Sequence, residues 1–265
     1  MTLETIIFSD LNFYKSIPYL FVVFFSTLIA YNLKGVKYET FPHSEIESEK
    51  ATWVKKNKSL ILIVVALSAI FGAFELFFLN KKTIYVLLPL GLLSLGYSTP
   101  LKIGKYSFVL REIPLIKTIL VALVWTIVVA LLPYVESGKI ADIDTIRIIG
   151  DFIFLLSLAM LFDIKDLDTD EKMKIKTIPM MIGVNGTKTL SVGLIMLRLG
   201  YLFFMKINIV QLLGETVVAL IAAGLIILHI NRKTSEYFYM LWIDGLMILR
   251  SFLILLFYLA SRNFH

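Results

Sequence analysis

Long runs of apolar residues recur along this chain and constrain its fold more than any other feature. A helix needs about 20 residues to cross the roughly 30 Å hydrocarbon core of a bilayer, whereas membrane β-strands would alternate in polarity over about ten residues. The runs here are continuous, which predicts helices. We place eight spans near residues 17–33, 59–79, 84–98, 114–134, 145–162, 189–206, 209–230 and 237–260.

The overall composition agrees with a lipid environment. Hydrophobic residues make up 58% of the 265 residues, and the mean hydropathy of +0.83 is higher than a water-soluble domain can hide in one core. The chain shows neither a low-complexity tract nor a separate polar domain. We therefore expect an all-α, polytopic integral membrane protein that forms one domain over residues 1–265, with its helices around a central cavity open to lipid.

Two residue types limit the possible chemistry. The chain has no cysteine, which excludes disulfides, thiolate metal sites and cysteine nucleophiles. Its three histidines, His43, His229 and His265, are far apart in sequence, so a histidine-based metal centre is not expected. Any metal should be a hard cation held by carboxylates, which favours Mg²⁺.

The positive charges are distributed unevenly between the two predicted sides of the membrane. Loops 34–58, 99–113, 163–188 and 231–236 together carry sixteen Lys and Arg residues, and the opposite side carries six. The richer side is predicted to be cytoplasmic, in a bacterial cytoplasmic membrane, with both termini outside. We interpret the net charge of +6 as this topology signal, and we expect membrane lipid, not nucleic acid, as the partner.

Four aspartates follow the fifth predicted span. At 100° per residue, Asp163, Asp166 and Asp170 lie within a 60° arc of one helix face, and Asp168 points elsewhere. Three like charges on one face repel, and the arrangement is reasonable if a divalent cation bridges them and a diphosphate shares the cation. The alternative is a solvated, charged helix end. From the spacing alone, both interpretations stay open.

The segment from residue 163 to residue 183 resembles the second aspartate-rich motif of the UbiA-type prenyltransferases. Asp166 and Asp170 match its DxxxD, and Asp163 matches an extra upstream aspartate. Thr177, Pro179 and Gly183 match the turn that follows a basic stretch. A second stretch, Tyr97, Pro100 and Lys102, resembles the family's Tyr-x-x-Pro-x-Lys turn after an earlier span.

This resemblance implies a fold, a reaction and a site. The reaction would transfer a prenyl group from an isoprenoid diphosphate to a lipophilic acceptor, an aromatic ring or another lipid-soluble nucleophile, with Mg²⁺ as cofactor. Asp163, Asp166 and Asp170 would be the catalytic, metal-binding residues. The substrate-binding residues would be Asn32, Tyr97, Lys102, Arg111 and Lys117, and Lys105 is a further basic residue of the same loop.

The chain departs from the family at the first motif, which reads NxxxDxxxD or close to it. Asn32 is present, but Val36 and Thr40 stand where the carboxylates should be. Glutamates of the same loop could replace them, Lys34 and Lys37 could bind diphosphate directly, or the site could be inactive. The loop glutamates are Glu39, Glu45, Glu47 and Glu49.

The position of Asn32 raises a related question about architecture. Family members usually have nine spans with the first motif after the second, whereas Asn32 ends the first span here. Either the recorded start is late or the architecture is reduced by one helix.

Ionisable residues also occur inside the predicted spans, where they are costly and usually functional. We expect interhelical ion pairs among Arg198, Glu215, Asp244 and Arg250. Glu75 and Asp151 are the other two ionisable residues inside the spans. Two alternatives to a prenyltransferase follow. One is an inactive relative that binds isoprenoid lipid, which Val36 and Thr40 favour. The other is a small transporter with a polar path past Asp244, Arg250 and Glu215.

Overall fold

The computed structural model shows a nearly all-helical protein. It describes residues 1–8, 11, 13–38, 53–54, 56–98, 101–103, 106–108, 113, 115–172, 175–205, 207 and 209–262. The helices in the first part of the chain are α1 (Thr2–Phe8), α2 (Phe13–Tyr38), α3 (Lys58–Leu76) and α4 (Lys81–Ser98). A short antiparallel hairpin follows, with strands β1 (Leu101–Ile103) and β2 (Tyr106–Phe108).

The second part of the chain continues with longer helices. They are α5 (Ile116–Glu136), α6 (Thr145–Lys165), the short α7 (Leu167–Lys172), α8 (Ile178–Phe204) and α9 (Ile209–His229). The last helix, α10, begins at Glu236–Phe238, passes through a π turn at Tyr239–Ile243 and continues as Asp244–Arg262. A 3₁₀ turn at Ile140–Asp142 lies between α5 and α6.

Within the described residues, seven helices are long and apolar enough to cross a membrane, namely α2, α3, α5, α6, α8, α9 and α10. Helix α4 would be the eighth span. It has 18 residues, about 27 Å at 1.5 Å per residue, but two lysines at its start and an internal Pro89 lower its hydropathy. The prediction of about eight spans is therefore consistent with the structure.

Large apolar side chains cover the outside of the helices. On α3 only Ile61 and Ser68 are buried, and Phe71 and Phe74 are each more than half exposed. Phe78, two residues after the helix, is also more than half exposed. Water-soluble monomers rarely expose contiguous apolar surface on this scale. The protein is an integral membrane protein, and these faces contact lipid.

One predicted boundary was wrong by eleven residues. We placed a span at 189–206, but α8 begins at Ile178. Its first turn contains Pro179, which suits a helix N-terminus because it has no N–H to leave unpaired. Gly183 then interrupts the helix with φ of 74°, a left-handed conformation that glycine adopts without steric cost. The apolar periodicity becomes regular only after this kink.

Helix α5 contains a π turn that neighbouring helices stabilise. Pro133 has no N–H, so it cannot donate to the carbonyl of Val129 four residues earlier. The Thr5 hydroxyl of α1 donates to that carbonyl instead (3.1 Å), and the Tyr19 hydroxyl of α2 donates to the carbonyl of Val128. Buried carbonyls in a bilayer need such partners, and these bonds attach α1 and α2 to α5.

Helix α6 is the central helix of the second half. It packs against α5 on one side and against α8 on the other, while α8 contacts α9 and α9 contacts α10. A buried cluster joins α6, α8, α9 and α10, and it consists of Phe154, Leu158, Leu161, Ile164, Ile195, Val218, Ala219, Ala222, Ile226, Ile230, Tyr239, Ile243 and Leu246. On α6 the cluster extends from Phe154 to Ile164, and buried aspartates lie near each of its limits, Asp151 and Asp163.

Candidate active site

The first charged cluster lies where α6 ends and α5 begins. Since α6 follows α5 through a short connection and packs against it, the first turn of α5 lies beside the last turn of α6. Lys117 is the second residue of α5, and its side chain is buried, with 9% of the residue exposed. Its ammonium nitrogen lies 2.7 Å from Asp170 Oδ2, 3.2 Å from Asp163 Oδ1 and 3.3 Å from Asp166 Oδ2.

We call Lys117, Asp163, Asp166 and Asp170 the aspartate cluster. Asp163 and Asp170 are buried and Asp166 is half-buried. The Thr118 hydroxyl donates to the second oxygen of Asp163. The three aspartates that the spacing placed on one helix face therefore meet the same ammonium.

Asp168 points away from the aspartate cluster, as its spacing predicted. It is exposed and pairs with Arg232 in the connection between α9 and α10, at 2.6 Å. Glu171 pairs with the same guanidinium, also at 2.6 Å. These two contacts tie α7 to the connection between α9 and α10, so Asp168 and Glu171 form an outward acidic pair that is distinct from the three inward aspartates.

A further ion pair borders the aspartate cluster. Lys165 lies 3.4 Å from Glu236 Oε1 at the start of α10 and 3.9 Å from Asp166 Oδ1. The Lys165 ammonium nitrogen lies over the ring of Phe162, 5.6 Å from the ring centroid. No pattern in the sequence indicates the Lys165–Glu236 pair, because its members are 71 residues apart.

The carboxylate oxygens of this cluster suit a hard cation in type. Mg²⁺ prefers oxygen ligands, and three carboxylates with one ammonium leave a net charge of −2, which one divalent ion would neutralise. Within the described residues, however, no group of three or more His, Cys, Asp or Glu side chains is arranged so that it could hold a metal ion. The donors fit the ion in chemistry and charge, and Lys117 occupies the point on which they converge.

The remaining predicted site residues lie mostly outside the described side chains. Tyr97 is in the last turn of α4 and Lys102 is in β1, but their side chains are not described. Arg111 is outside the described residues altogether. The same holds for Pro100, Thr40, Lys105 and the loop glutamates Glu39, Glu45, Glu47 and Glu49, and for the side chains of Lys34, Val36 and Lys37.

Asn32 lies in α2 and is half-buried. Its amide donates to the backbone carbonyl of Leu28 within the same helix, at 2.8 Å. The neighbouring Tyr31 lies close enough to Asp244 of α10 for an electrostatic interaction, which places this part of α2 near the start of α10. That Asn32 faces the aspartates across a cavity stays a prediction.

The second charged cluster lies nearer the other end of α6, about 18 Å from the first, because Asp151 precedes Asp163 by twelve residues at 1.5 Å each. Arg198 of α8 forms a bidentate pair with Glu215 of α9, with one N–O distance of 2.6 Å. Arg250 of α10 contacts the same carboxylate at 2.8 Å and Asp151 at 2.8 Å. All four residues are at most 5% exposed.

The two arginines of this four-residue network make further contacts with α6. The Arg198 Nε donates to the carbonyl of Gly150 (2.8 Å), and both guanidinium groups lie over the ring of Phe154 at about the same distance, 5.5 and 5.4 Å. The network is neutral, with two positive and two negative groups. It joins four helices, as predicted for Arg198, Glu215 and Arg250. The prediction was wrong for Asp244, which lies near Lys165, and it omitted Asp151.

This network argues against a transporter with a polar path past these residues. Glu215 and Arg250 are buried and satisfy each other's charge, as structural ion pairs in membrane helices do. Paired groups of this kind stabilise helix packing.

Comparison with known proteins agrees with the fold. A search of curated proteins gave no match. Two solved structures of a UbiA homolog from Archaeoglobus fulgidus are similar in fold. The one bound to GPP and Mg²⁺ has a TM-score of 0.59 and 11% identity, covering 94% of this chain and 88% of the other. The one bound to DMAPP and Mg²⁺ has a TM-score of 0.56 and 14% identity with the same coverage.

The family assignment comes from the sequence match. The model of the UbiA prenyltransferase family matches residues 53–245, which include the whole aspartate motif and Lys117. The match begins after Asn32, Val36 and Thr40, the positions that correspond to the first motif. The chain belongs to the UbiA prenyltransferase family.

Proposed function

We propose that this protein transfers a prenyl group from an isoprenoid diphosphate to a lipophilic acceptor within the membrane. The observation that supports the proposal most is the convergence of three carboxylates on one point at the end of α6, in a chain of this family. The carboxylates are fixed by buried helices, so they are pre-organised to receive a cationic partner. The two UbiA homolog structures bind isoprenoid diphosphates together with Mg²⁺.

In this mechanism, Asp166 and Asp170 would hold Mg²⁺ with help from Asp163. The bound ion would neutralise charge on the departing diphosphate. Lys117 and, from the resemblance, Lys102, Arg111, Tyr97 and Asn32 would hold the diphosphate oxygens, since Lys and Arg suit phosphate. The apolar helix walls would keep water from the prenyl group after the C–O bond breaks.

The test is a transfer assay with protein in lipid nanodiscs. A radiolabelled isoprenoid diphosphate and Mg²⁺ are added together with a lipid extract of the source membrane. Labelled lipid product that depends on Mg²⁺ and on Asp170 would support the proposal. Retention of all label as diphosphate, with binding intact, would instead favour the inactive isoprenoid-binding relative, for which Val36 and Thr40 are the sequence evidence.

The orientation proposal is that the aspartate cluster faces the cytoplasm of a bacterial cell. The chain lacks cysteine, so a single introduced cysteine is the only thiol that the reagent can label. We expect Ser48→Cys and Lys172→Cys to be protected from an impermeant thiol reagent applied outside intact cells, and Lys139→Cys to be labelled. The reason is the sixteen-to-six distribution of basic residues. Labelling of Lys172→Cys with protection of Lys139→Cys would reverse the orientation.

A further inference from the structure

The hydroxyl of Tyr239 is a buried polar group beside the aspartate cluster. Tyr239 lies in the π turn of α10, and none of its surface is exposed. Among the residues that the structure describes, its hydroxyl oxygen has no hydrogen-bond partner. Burying a hydroxyl without a hydrogen bond is unfavourable, and such groups are rare in folded proteins. This hydroxyl therefore calls for a partner that it acquires when the protein functions.

The register between α6 and α10 sets the depth of Tyr239 in the bundle. Lys165 of α6 contacts Glu236 of α10 at 3.4 Å. About one turn deeper, the ring of Phe162 lies beside the ring of Tyr239, with the ring centroids 5.8 Å apart. The residue numbers fall along α6 as they rise along α10, so the two helices run antiparallel. Tyr239 therefore faces α6 just below the end of that helix.

Two geometric facts direct the hydroxyl toward Asp166. Side chains of a helix tilt toward its N-terminus, and α10 begins at the end of the bundle that carries the aspartate cluster. Asp166 follows Phe162 by four residues, and its N–H donates to the Phe162 carbonyl at 3.0 Å, so the two residues share a helix face. Tyr239 is close enough to Asp166 for an electrostatic interaction. The hydroxyl and the carboxylate are neighbours without a hydrogen bond between them.

Asp166 is the most accessible carboxylate of the aspartate cluster. Its side chain is 33% exposed, against 3% for Asp163 and 6% for Asp170. Its oxygens lie 3.3 Å from the Lys117 ammonium and 3.9 Å from the Lys165 ammonium, whereas Asp170 lies 2.7 Å from Lys117. Asp166 can therefore turn toward a new partner more easily than the two buried aspartates.

A carboxylate that binds a metal ion is usually held by a hydrogen bond from a second group, which fixes its orientation. A tyrosine hydroxyl is a donor at neutral pH. The ring of Tyr239 is already packed against Phe162 within the buried cluster, so its donation requires little further ordering. A hydrogen bond to Asp166 would satisfy the hydroxyl and orient the carboxylate at the same time.

We propose that Tyr239 is a positioning residue of the aspartate cluster, whose hydroxyl donates a hydrogen bond to the Asp166 carboxylate when that carboxylate binds a divalent cation. This inference deepens the proposed function and rests on it, because it requires the aspartate cluster to bind Mg²⁺.

The experiment compares Mn²⁺ binding to the wild type and to Tyr239→Phe, by electron paramagnetic resonance on the full chain in phosphatidylcholine nanodiscs, without and with GPP. Tyr239→Phe keeps the ring and removes only the hydroxyl. We expect Mn²⁺ affinity to fall about tenfold or more, as it commonly does when the outer partner of a metal ligand is removed. Wild-type affinity in Tyr239→Phe would overturn the proposal.

A matched control makes the same chemical change two residues away. Tyr237 is 68% exposed, so Tyr237→Phe removes a hydroxyl from the surface of the same helix. Its Mn²⁺ affinity should equal that of the wild type. An equal loss of affinity in Tyr237→Phe and Tyr239→Phe would show an effect that is not specific to the buried hydroxyl, and the inference would fail.

Thermal stability distinguishes a positioning role from a structural one. Because the Tyr239 hydroxyl makes no hydrogen bond with the described residues, Tyr239→Phe should melt at or above the wild-type temperature when no metal is added. A melting temperature several degrees lower, with Mn²⁺ affinity unchanged, would show that the hydroxyl supports the fold and not the metal site.

A double variant tests whether Tyr239 acts through Asp166. The combination of Tyr239→Phe with Asp166→Asn should bind Mn²⁺ as weakly as Asp166→Asn alone, because two changes in one interaction are not additive. Fully additive losses would show that Tyr239 acts on the metal independently of Asp166, which contradicts the proposal.

Binding of labelled GPP, measured in parallel, separates this inference from the proposed function. If the wild type binds Mn²⁺ but no GPP, and Tyr239→Phe loses Mn²⁺ affinity, the positioning role stands and the prenyltransferase proposal fails. If the wild type binds GPP with Mg²⁺, and Tyr239→Phe has wild-type Mn²⁺ affinity, the positioning role alone fails. Absence of Mn²⁺ binding to the wild type, without and with GPP, would remove both.

Discussion

Replacing Asp166 or Asp170 with Asn should weaken Mg²⁺-dependent binding of an isoprenoid diphosphate by roughly ten- to a hundredfold. Each substitution keeps the size of the side chain and removes the charge. A contact with an ionised group contributes about 1.5–3 kcal/mol, and 1.4 kcal/mol corresponds to about a factor of ten in affinity. Equilibrium binding of labelled GPP to nanodisc protein, with and without Mg²⁺, measures the effect. The Mg²⁺ dependence should fade in both variants.

Two controls test whether the effect belongs to the inward face. Asp168→Asn removes a charge from the same segment, but Asp168 is exposed and pairs with Arg232, so binding should change little. The combined change of Glu45, Glu47 and Glu49 to Gln should also do little, since the three carboxylates that converge on Lys117 are those of Asp163, Asp166 and Asp170. If the triple variant lost binding and Asp166→Asn did not, the second motif would be interpreted as a solvated helix end.

The second large effect is expected on stability. Glu215→Gln should lower the free energy of unfolding by about 3–5 kcal/mol, the range found when one partner of a buried ion pair is removed. Glu215 accepts hydrogen bonds from both Arg198 and Arg250, so its loss leaves two buried guanidinium groups with only Asp151 to neutralise them. The melting temperature and the denaturant midpoint in detergent would both fall.

The matched control for this change is Asp142→Asn, which removes an exposed carboxylate from the 3₁₀ turn between α5 and α6. Its effect should be small. Combining Glu215→Gln with Arg198→Met balances the charges again, so the double variant should recover part of the lost stability. If Glu215→Gln has the same melting temperature as Asp142→Asn and the wild type, this network is solvated by water and not by its protein partners.

Much of the architecture could be predicted from the sequence because the physics of a bilayer acts on local segments. A run of about 20 apolar residues has to form a helix there, since each backbone polar group needs a partner inside its own segment. The exceptions have local causes as well. Because of Pro179 and Gly183, the sequence pattern did not indicate the true start of α8. The two lysines and Pro89 of α4 lower the hydropathy of that helix, which made it harder to predict as a span.

The aspartate motif was predictable for a similar reason. Helical spacing alone put Asp163, Asp166 and Asp170 on one face and Asp168 on another, because side chains three, four and seven residues apart share a helix face. Their partner was not predictable. Lys117 is 53 residues from Asp170 along the chain, and its role as substrate ligand was inferred from family resemblance.

The sequence by itself determined which segments cross the membrane and which carboxylates share a face, because both follow from periodicity within one helix. Only the tertiary structure decided that Lys117 lies among those carboxylates, and that Asp151 and not Asp244 completes the pairs of Arg198, Glu215 and Arg250. The physical reason is that pairing between helices depends on which faces pack together and at what depth. Those choices depend on the shape of every neighbouring helix, including the π turn of α5 that anchors α1 and α2.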